Sequence, residues 1–526
     1  MTRRGGVLLV LDGWGHAPPG PDNAIDAAST PFLDELLRSC PGPLLEASGP
    51  AVGLPDGVVG NSEIGHLVIG AGRPLAYDSL LVQRQAESGE LRTNLMLREA
   101  CAQLAGTGAA LHLIGLCSDG RIHSDIEHFS ELLHAASDAG LGDVWLHAIT
   151  DGRDVADGTA GGHLARLMAM SDSAGVGRFA TVIGRNYAMD KSGKAELTDA
   201  ATRLLIDGQG ETTAPDAISA AVGPGDSSLP PTVISVAGGA FTGVRDGDVI
   251  LFANFRSDRT APLVDMVAER LSTSGRAGVR LLSLAQYDTR TPVPALVPRA
   301  DASGGLADAL EAVGARSVRI AEREKFEHVT FFINGRDSRS RPVEEHQCVP
   351  SADGEDYVAR PEMNVEGVAQ HVVDAAARDD VALVIANLAN IDVVGHTGDY
   401  AATVRGTEAV DLAVRRICQE ARAKGRWVLL VGDHGNGEQM SQRGDDGTSR
   451  PYGGHTHNKV PCLLVPAHNG APGLVRTGVQ PRLPSVAPTV LDLLGIPQPD
   501  EMSEPSLLHV AGRSESHASP SVAITN

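Results

Sequence analysis

Aromatic residues are scarce in this 526-residue chain, where phenylalanine, tryptophan and tyrosine together make up 3% of the sequence. Hydrophobic content is nevertheless 42% and charged content 21%, which are ordinary values for a soluble globular protein. The core must therefore be packed by valine, leucine, isoleucine and alanine, as in layered α/β proteins. The chain is also too long for one ordinary core, so we expect two domains.

Long apolar runs, a basic charge balance and paired cysteines are missing as well. No stretch approaches the roughly 18 apolar residues of a membrane span, and the run Val7–Leu11 is too short for a signal-peptide core. The net charge of −22 argues against a nucleic acid partner, because phosphate backbones require a basic surface. The six cysteines form no Cys-x-x-Cys pair, which indicates free thiols in a reducing compartment. We expect a cytoplasmic protein that binds neither membranes nor nucleic acids.

Ser62 stands in the glycine-flanked segment Gly60–His66 without the surroundings of a serine hydrolase. The segment has no Gly-x-Ser-x-Gly elbow, and no histidine or aspartate stands at a spacing that would complete a protease or esterase. A hydroxyl without a base can still become a nucleophile when a metal ion lowers its pKa. Nearby arginines would then favour phosphoryl chemistry.

Short apolar runs end repeatedly at Asp, Asn, Gly or Ser. The runs are Val7–Leu11, Ala110–Leu116, Val144–Ile149, Val249–Ala253, Val381–Asn387 and Trp427–Val431. They are typical of buried parallel strands, whose carboxyl ends hold ligands in open α/β sheets. Helical patterns lie between them at Thr159–Met170, Gly304–Val313 and Val365–Ala377. The alternation predicts mostly parallel sheets covered by helices.

The candidate functional residues are distributed unevenly along the chain. Possible metal ligands fall in about the first 70 residues and after about residue 390, whereas most arginine-rich loops fall between about 120 and 260. We therefore expect a metal-binding domain of residues 1–76 and 300–512 that is interrupted by a substrate domain of residues 77–299. The tail 513–526 is polar, and the chain is expected to fray from about Ser503.

Aspartates and histidines near the two chain ends form the candidate metal set: Asp12, Asp392, His396, Asp433, His434 and His455. Asp392 and His396 share a face if their segment is helical, although a capping aspartate and an incidental histidine would look the same. Spacing alone does not choose between His455 and His457. Mixed carboxylate and imidazole ligands suit Mn²⁺ or Zn²⁺ better than Mg²⁺. The size of the set indicates two divalent ions that clamp a phosphoryl displacement.

Basic residues in loops after strands form a second set: Arg153, Arg185, Arg256, Arg259 and, nearby, Lys191. Any one of them could be a solvated surface residue, but planar guanidinium groups at strand ends suit phosphate and carboxylate recognition. His123 could orient a substrate or act as an acid, and Lys325 could offset phosphoryl charge. Four other histidines, His16, His112, His147 and His371, have no comparable neighbours in the sequence and are interpreted as structural or exposed.

Seven stretches carry a joint family pattern: LVLDGWG (9–15), LLEASGPAVGLPDGVVGNSEIGHLVIGAGR (44–73), HAITDGRDV (147–155), IGRNYAMD (183–190), NFRSDR (254–259), NLANIDVVGHTGDY (387–400) and GDHGN (432–436). In this order they resemble the cofactor-independent (2,3-bisphosphoglycerate-independent) phosphoglycerate mutases of the alkaline phosphatase superfamily. The resemblance implies an α/β fold in which an alkaline-phosphatase-like metal domain is split by an inserted α/β transferase domain. It also implies a monomer that interconverts 3-phosphoglycerate and 2-phosphoglycerate with two divalent ions, Mn²⁺ being the expected metal.

The resemblance further implies a role for each matched residue. Ser62 is the nucleophile of a phosphoserine intermediate, Asp154 is the acid and base for the glycerate hydroxyls, and Lys325 contacts the transferring phosphoryl group. One metal ion is assigned to Asp392, His396 and His455, and the other to Asp12, Ser62, Asp433 and His434. The choice of His455 comes from the family motif, in which His457 occupies a threonine position. Substrate contacts are assigned to His123, Arg153, Asp154, Arg185, Lys191, Arg256, Arg259 and Lys325.

Three features depart from the family pattern near the implied substrate site. Lys191 replaces a usual arginine, which keeps the charge but loses the bidentate fork. Arg121 replaces a usual glycine, and the segment 335–350 diverges. The alternatives to a phosphoglycerate mutase are therefore a mutase or phosphotransferase for another small phosphorylated or phosphonate acid, and a metal-dependent phosphohydrolase.

Overall fold

The computed structural model describes residues 5–40, 42–190, 193–214, 225–236, 239–351, 356–443, 448–468, 473–474 and 480–508. The chain divides into two compact units, which we call the first unit (Met1–Ala76 with Asp301–Asn526) and the second unit (Tyr77–Ala300). Within the described ranges, no helix combines the length and the apolar character that crossing a membrane requires.

The strands, numbered in chain order, are β1 (Gly6–Leu11), β2 (Leu44–Leu45), β3 (Leu111–Leu116), β4 (Val144–Thr150), β5 (Arg178–Gly184), β6 (Glu211–Thr213), β7 (Thr232–Val236), β8 (Gly239–Ala240), β9 (Val249–Phe252), β10 (Arg280–Ala285), β11 (Ala295–Val297), β12 (Ser317–Glu322), β13 (Glu344–Val349), β14 (Leu383–Leu388), β15 (Trp427–Gly432), β16 (Ser441–Arg443), β17 (Ser449–Pro451) and β18 (Val460–Val465).

The α-helices are α1 (Ala24–Ala27), α2 (Pro31–Ser39), α3 (Ser62–Ala71), α4 (Asp78–Glu87), α5 (Leu95–Leu104), α6 (Glu127–Asp138), α7 (Ala160–Ala174), α8 (Arg185–Ala188), α9 (Ala195–Asp207), α10 (Ala261–Thr273), α11 (Leu306–Ala312), α12 (Val365–Ala376), α13 (Asn390–Gly395), α14 (Tyr400–Ala423) and α15 (Val486–Leu494). Short 3₁₀ or π turns lie at Gly49–Val52, Asp226–Ser228, Arg323–Lys325, His328–Phe332 and Leu483–Ser485.

The first unit is built on a sheet of order β13-β12-β14-β1-β15-β18-β2. Strands β13, β12, β14, β1 and β15 are parallel, whereas β18 runs antiparallel to β15. Every residue of β1, β14 and β15 is buried, as expected for central strands covered on both faces. Because parallel strands end at the same edge, the loops after β12, β14, β1 and β15 lie side by side.

The second unit has its own sheet, of order β11-β10-β9-β3-β4-β5-β7-β6, with β8 paired to β7. Strands β11 to β5 in this order are parallel, and β7 is antiparallel to β5. Its core is mainly aliphatic, in line with the low aromatic content, and Phe129 and Phe252 are among its few buried rings. The second unit therefore also presents a row of neighbouring strand ends.

The predicted elements are present in both units. The apolar runs form β1, β3, β4, β9, β14 and β15, and the helical patterns form α7, α11 and α12, which confirms the α/β class. Helix α7 continues past the predicted end at Met170 to Ala174, because no helix breaker intervenes before Gly175. Gly175 ends the helix with a left-handed φ of 71°.

The prediction that the chain frays from Ser503 is wrong for the residues up to Leu508. Met502 and Leu507 are buried, and the Leu507 backbone N–H donates to Thr489 Oγ1 at 2.9 Å. Hydrogen bonds from Leu507 to Thr489 and from Ser506 to Asp492 join this segment to α15, and the Leu507 side chain is buried. The predicted polar tail 513–526 lies outside the described residues.

Candidate active site

Ser62 is the first residue of α3 and is buried at the carboxyl edge of the first sheet. The Asn61 side chain accepts a hydrogen bond from the Ile64 backbone N–H at 3.0 Å, which fixes the start of the helix. Gly65 lets the helix approach the end of β15, because a Cβ there would lie 2.8 Å from the Asp433 carbonyl oxygen. The local sequence thus places the Ser62 hydroxyl beside the carboxyl ends of the strands.

Side chains from three strand ends surround the Ser62 hydroxyl. Ser62 Oγ donates to Asp12 Oδ1 at 3.1 Å and lies 2.9 Å from His434 Nε2. Lys325 Nζ donates to Ser62 Oγ at 2.6 Å, to Asp12 Oδ1 at 2.8 Å and to Asp392 Oδ2 at 2.6 Å. Residues 313 positions apart meet here because β12, β14, β1 and β15 are neighbours in one sheet.

His396 and His455 extend the cluster beside Asp392. Their Nε2 atoms lie 3.1 Å apart, and each is 3.3 Å from Asp392 Oδ1. His396 Nδ1 donates to the Gly453 carbonyl at 2.7 Å, and His455 Nδ1 donates to the Gly60 carbonyl at 3.0 Å. With Nδ1 engaged in each ring, Nε2 is the nitrogen left for a ligand, and both Nε2 atoms face a carboxylate oxygen that has no hydrogen-bond partner among the described residues. Three acceptors that face one another mark a cation position.

Asp433 belongs to a second such group. Its Oδ1 accepts from the backbone N–H groups of Gly13 at 3.1 Å and His434 at 3.0 Å. Its Oδ2 is buried without a hydrogen-bond partner in the part of the chain that the structure describes, 3.6 Å from His434 Nε2. Two groups have ligand atoms within 4.8 Å of one another: Asp12, Asp433 and His434, and Asp392, His434 and His455.

Carboxylates dominate the charge of this cluster. Burial raises the pKa of Asp12, but the Lys325 ammonium and His434 together outweigh burial and leave that pKa below its ordinary value. Burial lowers the pKa of Lys325, and Asp12 and Asp392 reverse the effect and raise it. Burial also lowers the pKa of His434, yet Asp433 and its neighbours raise it to about 10. The cluster therefore favours positive charge.

The residues present fit divalent metal ions. The structure brings together all of the residues predicted as ligands: Asp12, Ser62, Asp392, His396, Asp433, His434 and His455. Mixed carboxylate and imidazole donors suit transition metals. The Nδ1–H contacts of His396 and His455 to backbone carbonyls are of the kind that orient histidine ligands. The unpartnered oxygens of Asp392 and Asp433 supply acceptors that a cation would satisfy.

In the second unit, His123, Asp154 and Arg185 follow three neighbouring parallel strands. Arg185 Nη1 donates to Asp151 Oδ1 at 2.5 Å and lies 2.9 Å from Asp154 Oδ1. Asp154 Oδ2 and His123 Nδ1 are buried and, within the described ranges, have no hydrogen-bond partner. Burial lowers the pKa of His123, an effect that the nearby Asp154 carboxylate opposes. The group offers a fixed cation with a carboxylate and an imidazole that can each take a ligand.

The other predicted substrate residues are placed differently. Arg256 and Arg259 lie on either side of Asp258, with Nε to Oδ distances of 2.9 and 3.5 Å, so Asp258 orients both guanidinium groups. Sequence analysis missed Asp258 because it sits inside the arginine motif and looks like a local counter-charge. Arg153 is exposed. The predicted contact Lys191 lies outside the described residues.

Arg121 has a left-handed backbone with φ 57°, a conformation that favours glycine. The strained arginine is held by a hydrogen bond from its Nε to Asp125 Oδ2 at 2.8 Å. The turn thus holds an arginine in a backbone conformation suited to glycine, with an ion pair to Asp125 beside it.

The divergent segment 335–350 belongs to the first unit and builds β13, the strand at one edge of its sheet. Arg341 anchors the segment: it is buried and makes ion pairs with Asp308 at 2.8 Å, Glu311 at 2.7 Å and Asp337 at 2.9 Å. The contacts that the structure gives for Arg341 are thus structural ones with α11 and its own loop.

Sequence analysis missed several residues that support the cluster. His66 and Asn387 are fully buried directly behind it. Glu438 is also buried; it accepts from the hydroxyl of Thr456 and, at 3.0 Å, from the Asn458 side chain, and so fixes the turn that carries His455. A signal was present for the first two, since each is a polar residue inside an otherwise apolar helix or strand.

The comparisons with known proteins agree with this geometry. The sequence model of the Metalloenzyme superfamily matches residues 4–498. Relatives named 2,3-bisphosphoglycerate-independent phosphoglycerate mutase include a Streptomyces coelicolor protein that is 56% identical over 493 residues, 93% of this chain and 95% of its own. One from Moorella thermoacetica is 39% identical over 95% of this chain and 98% of its own. One from Methanococcoides burtonii is 36% identical over 96% of this chain and 98% of its own.

A solved structure shows the same fold. The crystal structure of Leishmania mexicana phosphoglycerate mutase at low cobalt concentration matches with a TM-score of 0.72 and 29% identity, covering 97% of this chain and 98% of that one. Together with the sequence matches, it confirms the α/β fold class and the family resemblance that the motifs indicated.

Proposed function

Because the chain belongs to the Metalloenzyme superfamily and, within it, to the 2,3-bisphosphoglycerate-independent phosphoglycerate mutases, we propose that it interconverts 3-phosphoglycerate and 2-phosphoglycerate through a phosphoserine on Ser62. The observation that carries this proposal is the set of contacts at one hydroxyl. Ser62 Oγ lies 2.6 Å from the Lys325 ammonium, 2.9 Å from His434 and 3.1 Å from Asp12.

The chain uses divalent metal, and we propose two ions, with Mn²⁺ as the physiological metal. Asp392, His396 and His455 would hold one of them, and Asp12, Ser62, Asp433 and His434 the other. When bound, the metal supplies Lewis acidity that lowers the pKa of the Ser62 hydroxyl and neutralises phosphoryl charge.

The chain's own residues complete the transfer. Ser62 Oγ, already deprotonated, forms a bond to phosphorus as the bond from phosphorus to the C3 oxygen breaks, and Lys325 stabilises the charge that develops on the phosphoryl oxygens. Asp154, in its protonated form, gives a proton to the departing C3 oxygen. After the glycerate reorients, Asp154 takes the proton of the 2-hydroxyl, whose oxygen attacks phosphorus as the bond from phosphorus to Ser62 Oγ breaks, which leaves Ser62 in the deprotonated form that made the first attack.

Arginine, lysine and histidine side chains of the second unit bind the glycerate carboxylate and the phosphoryl oxygens in this proposal: His123, Arg153, Arg185, Lys191, Arg256 and Arg259. Guanidinium forks suit both anions, and holding the glycerate in place keeps water from the phosphoserine. The substrate is a small phosphorylated carboxylic acid, and we further propose a cytoplasmic monomer of central carbon metabolism.

The test is turnover by the purified full-length protein with Mn²⁺ and 3-phosphoglycerate. We expect 2-phosphoglycerate to form without added 2,3-bisphosphoglycerate and with little free phosphate. Ser62→Ala should reduce turnover to background, because the proposed reaction passes through a phosphoester of the Ser62 hydroxyl. Absence of turnover with Mn²⁺, Co²⁺ and Zn²⁺ would contradict the proposal, and dominant phosphate release would favour a phosphohydrolase.

A further inference from the structure

Behind the candidate metal ligands, two buried side chains with no part in the proposed transfer connect Asp12 to Asp433. Asn387, in β14, lies with its Nδ2 2.6 Å from Asp12 Oδ2 and 3.0 Å from His66 Nε2. His66, in α3, lies with its Nδ1 2.8 Å from the Ser62 carbonyl oxygen and 3.3 Å from Asp433 Oδ2. The side chains of His66 and Asn387 are both inaccessible to solvent.

The hydrogens in this chain of contacts can be arranged in one way. Asp12 Oδ2 is a carboxylate acceptor, so the Asn387 group beside it must be the NH₂ and not the carbonyl oxygen. The second N–H of that group then points at His66 Nε2, which must accept. The His66 proton consequently sits on Nδ1, where it is donated to the Ser62 carbonyl and faces Asp433 Oδ2. His66 is thereby fixed as one neutral tautomer.

We propose that His66 and Asn387 act together as positioning residues that hold the Asp12 and Asp433 carboxylates and the Ser62 turn in the arrangement that binds a divalent cation. This inference rests on the metal-binding part of the proposed function. It concerns the group of Asp12, Asp433 and His434, and not the group around His396 and His455.

The chemistry of the pair suits this role. Asn387 occupies Asp12 Oδ2 and leaves Oδ1 directed at Ser62 and Lys325. His66 Nδ1 donates to the Ser62 carbonyl and contacts Asp433 Oδ2 at 3.3 Å, so the pair touches both carboxylates and the serine turn. Loss of such supporting contacts typically weakens metal binding about 10–100-fold.

The experiment measures binding of Mn²⁺ alone to the metal-free full-length protein by calorimetry. His66→Phe keeps a ring of similar shape and removes both nitrogens, and Asn387→Leu keeps the volume and removes the amide. We expect each change to weaken Mn²⁺ binding about 10–100-fold. If the two residues act as one unit, the double variant should bind no more weakly than the worse single variant. Unchanged affinity in folded single variants, or fully multiplicative losses in the double variant, would overturn the inference.

His66→Gln provides a second variant if the phenylalanine fails to fold. The glutamine amide can still accept from Asn387 but cannot reach the Ser62 carbonyl as a donor, so we expect a smaller loss of Mn²⁺ affinity than with phenylalanine. Equal losses in the two variants would contradict the tautomer assigned here. His147→Gln is the matched control, because His147 is equally buried but belongs to the second unit.

The outcomes separate the two proposals. If the unaltered protein binds no Mn²⁺, the metal-binding part of the proposed function fails, and this inference fails with it. If the unaltered protein binds Mn²⁺ and turns over while the His66 and Asn387 variants bind it equally well, this inference alone fails.

Discussion

The two units each bury a cluster of aspartate and histidine side chains, but the clusters differ in how their hydrogen bonds are satisfied. In the first unit, Asp392 Oδ1 and Asp433 Oδ2 are buried without a hydrogen-bond partner among the described residues. In the second unit, a row of polar side chains crosses neighbouring strands with every link made. We call that row, which consists of Asp248, His112, His147 and Thr181, the second-unit polar chain.

The second-unit polar chain has one proton for each link. His112 Nε2 donates to Asp248 Oδ2 at 3.1 Å, His147 Nε2 donates to His112 Nδ1 at 3.0 Å, and Thr181 Oγ1 donates to His147 Nδ1 at 2.8 Å. Phe241 packs edge-on against both imidazoles. Burial lowers the pKa of His112 and His147, so both rings are neutral.

This difference teaches how a ligand site can be told from a structural network. Buried polar atoms are expensive when they have no partner, so a chain of satisfied donors and acceptors needs nothing more to be stable. A cluster of the same residue types with several acceptors left over that face one another offers a site to a cation. If only their histidine and aspartate residues were considered, the two clusters would look equally suited to binding a metal ion.

Replacing Lys325 should give the largest effect, because it removes the ammonium that contacts Ser62, Asp12 and Asp392. For Lys325→Met we expect kcat to fall about 10²–10³-fold, the usual effect of removing one preorganised charge at a reacting centre. The measurement is turnover of 3-phosphoglycerate at saturating Mn²⁺. Lys459→Met, which breaks a half-exposed pair with Glu46 instead, is the control and should retain activity. Activity within tenfold of the unaltered protein would contradict the role of Lys325.

Adding metal should stabilise the first unit and leave the second unit unchanged. At a free Mn²⁺ concentration 100 times Kd, mass action adds about 2.7 kcal/mol to the free energy of opening the strands that carry ligands. Amide hydrogen exchange should therefore slow in β1, α3 and β15 when Mn²⁺ is added, with little change in β3 and β4. Equal slowing around the second-unit polar chain would show that the two clusters do not differ as described.

Acid should destabilise the second unit through its polar chain. The pKa of His147 lies well below its ordinary value of about 6.5 because of burial. Just below pH 6.5, His147 therefore binds a proton in the unfolded chain but not in the folded one. The contribution of neutral His147 to the free energy of unfolding is thus fully present above pH about 6.5 and is lost as the pH falls below that value. Urea unfolding at several pH values measures this loss.

His147→Gln tests the same network directly. We expect it to cost about 1–3 kcal/mol at neutral pH, because Thr181 and His112 lose a partner. It should also flatten the dependence of stability on pH below 6.5. A variant that keeps the full acid sensitivity would assign that sensitivity to other groups.

Arg121→Gly should give the smallest effect. It tests whether arginine at position 121, where the family resemblance leads us to expect glycine, affects the stability or the substrate binding of the second unit. Relief of the left-handed φ favours glycine by about 1 kcal/mol, while loss of the largely exposed pair with Asp125 costs less. We expect a slight gain in the free energy of unfolding and an unchanged KM for 3-phosphoglycerate. A large rise in KM would instead place Arg121 among the substrate contacts.

Much of the fold could be predicted from the chain. Apolar runs that end at Asp or Asn gave the correct central strands, since a strand covered on both faces can hardly be built from anything else. Helix ends were predicted less accurately: α7 extends beyond its predicted end at Met170 and stops at Ala174, just before Gly175. Packing of Met502 and Leu507 escaped prediction, because two buried side chains in a polar segment leave no periodic pattern.

The sequence by itself determined which residue types could do chemistry and that they follow strands: Asp12 after β1, Asp433 and His434 after β15, and Ser62 at a capped helix start. Only the tertiary structure decided which of the buried histidines belong to the candidate site. His66 joined it and His147 did not, because membership depends on which neighbouring strand ends meet and on which hydrogen-bond acceptors remain unpaired there. Pairing across a sheet is a property of distant segments, and no local pattern in the chain encodes it.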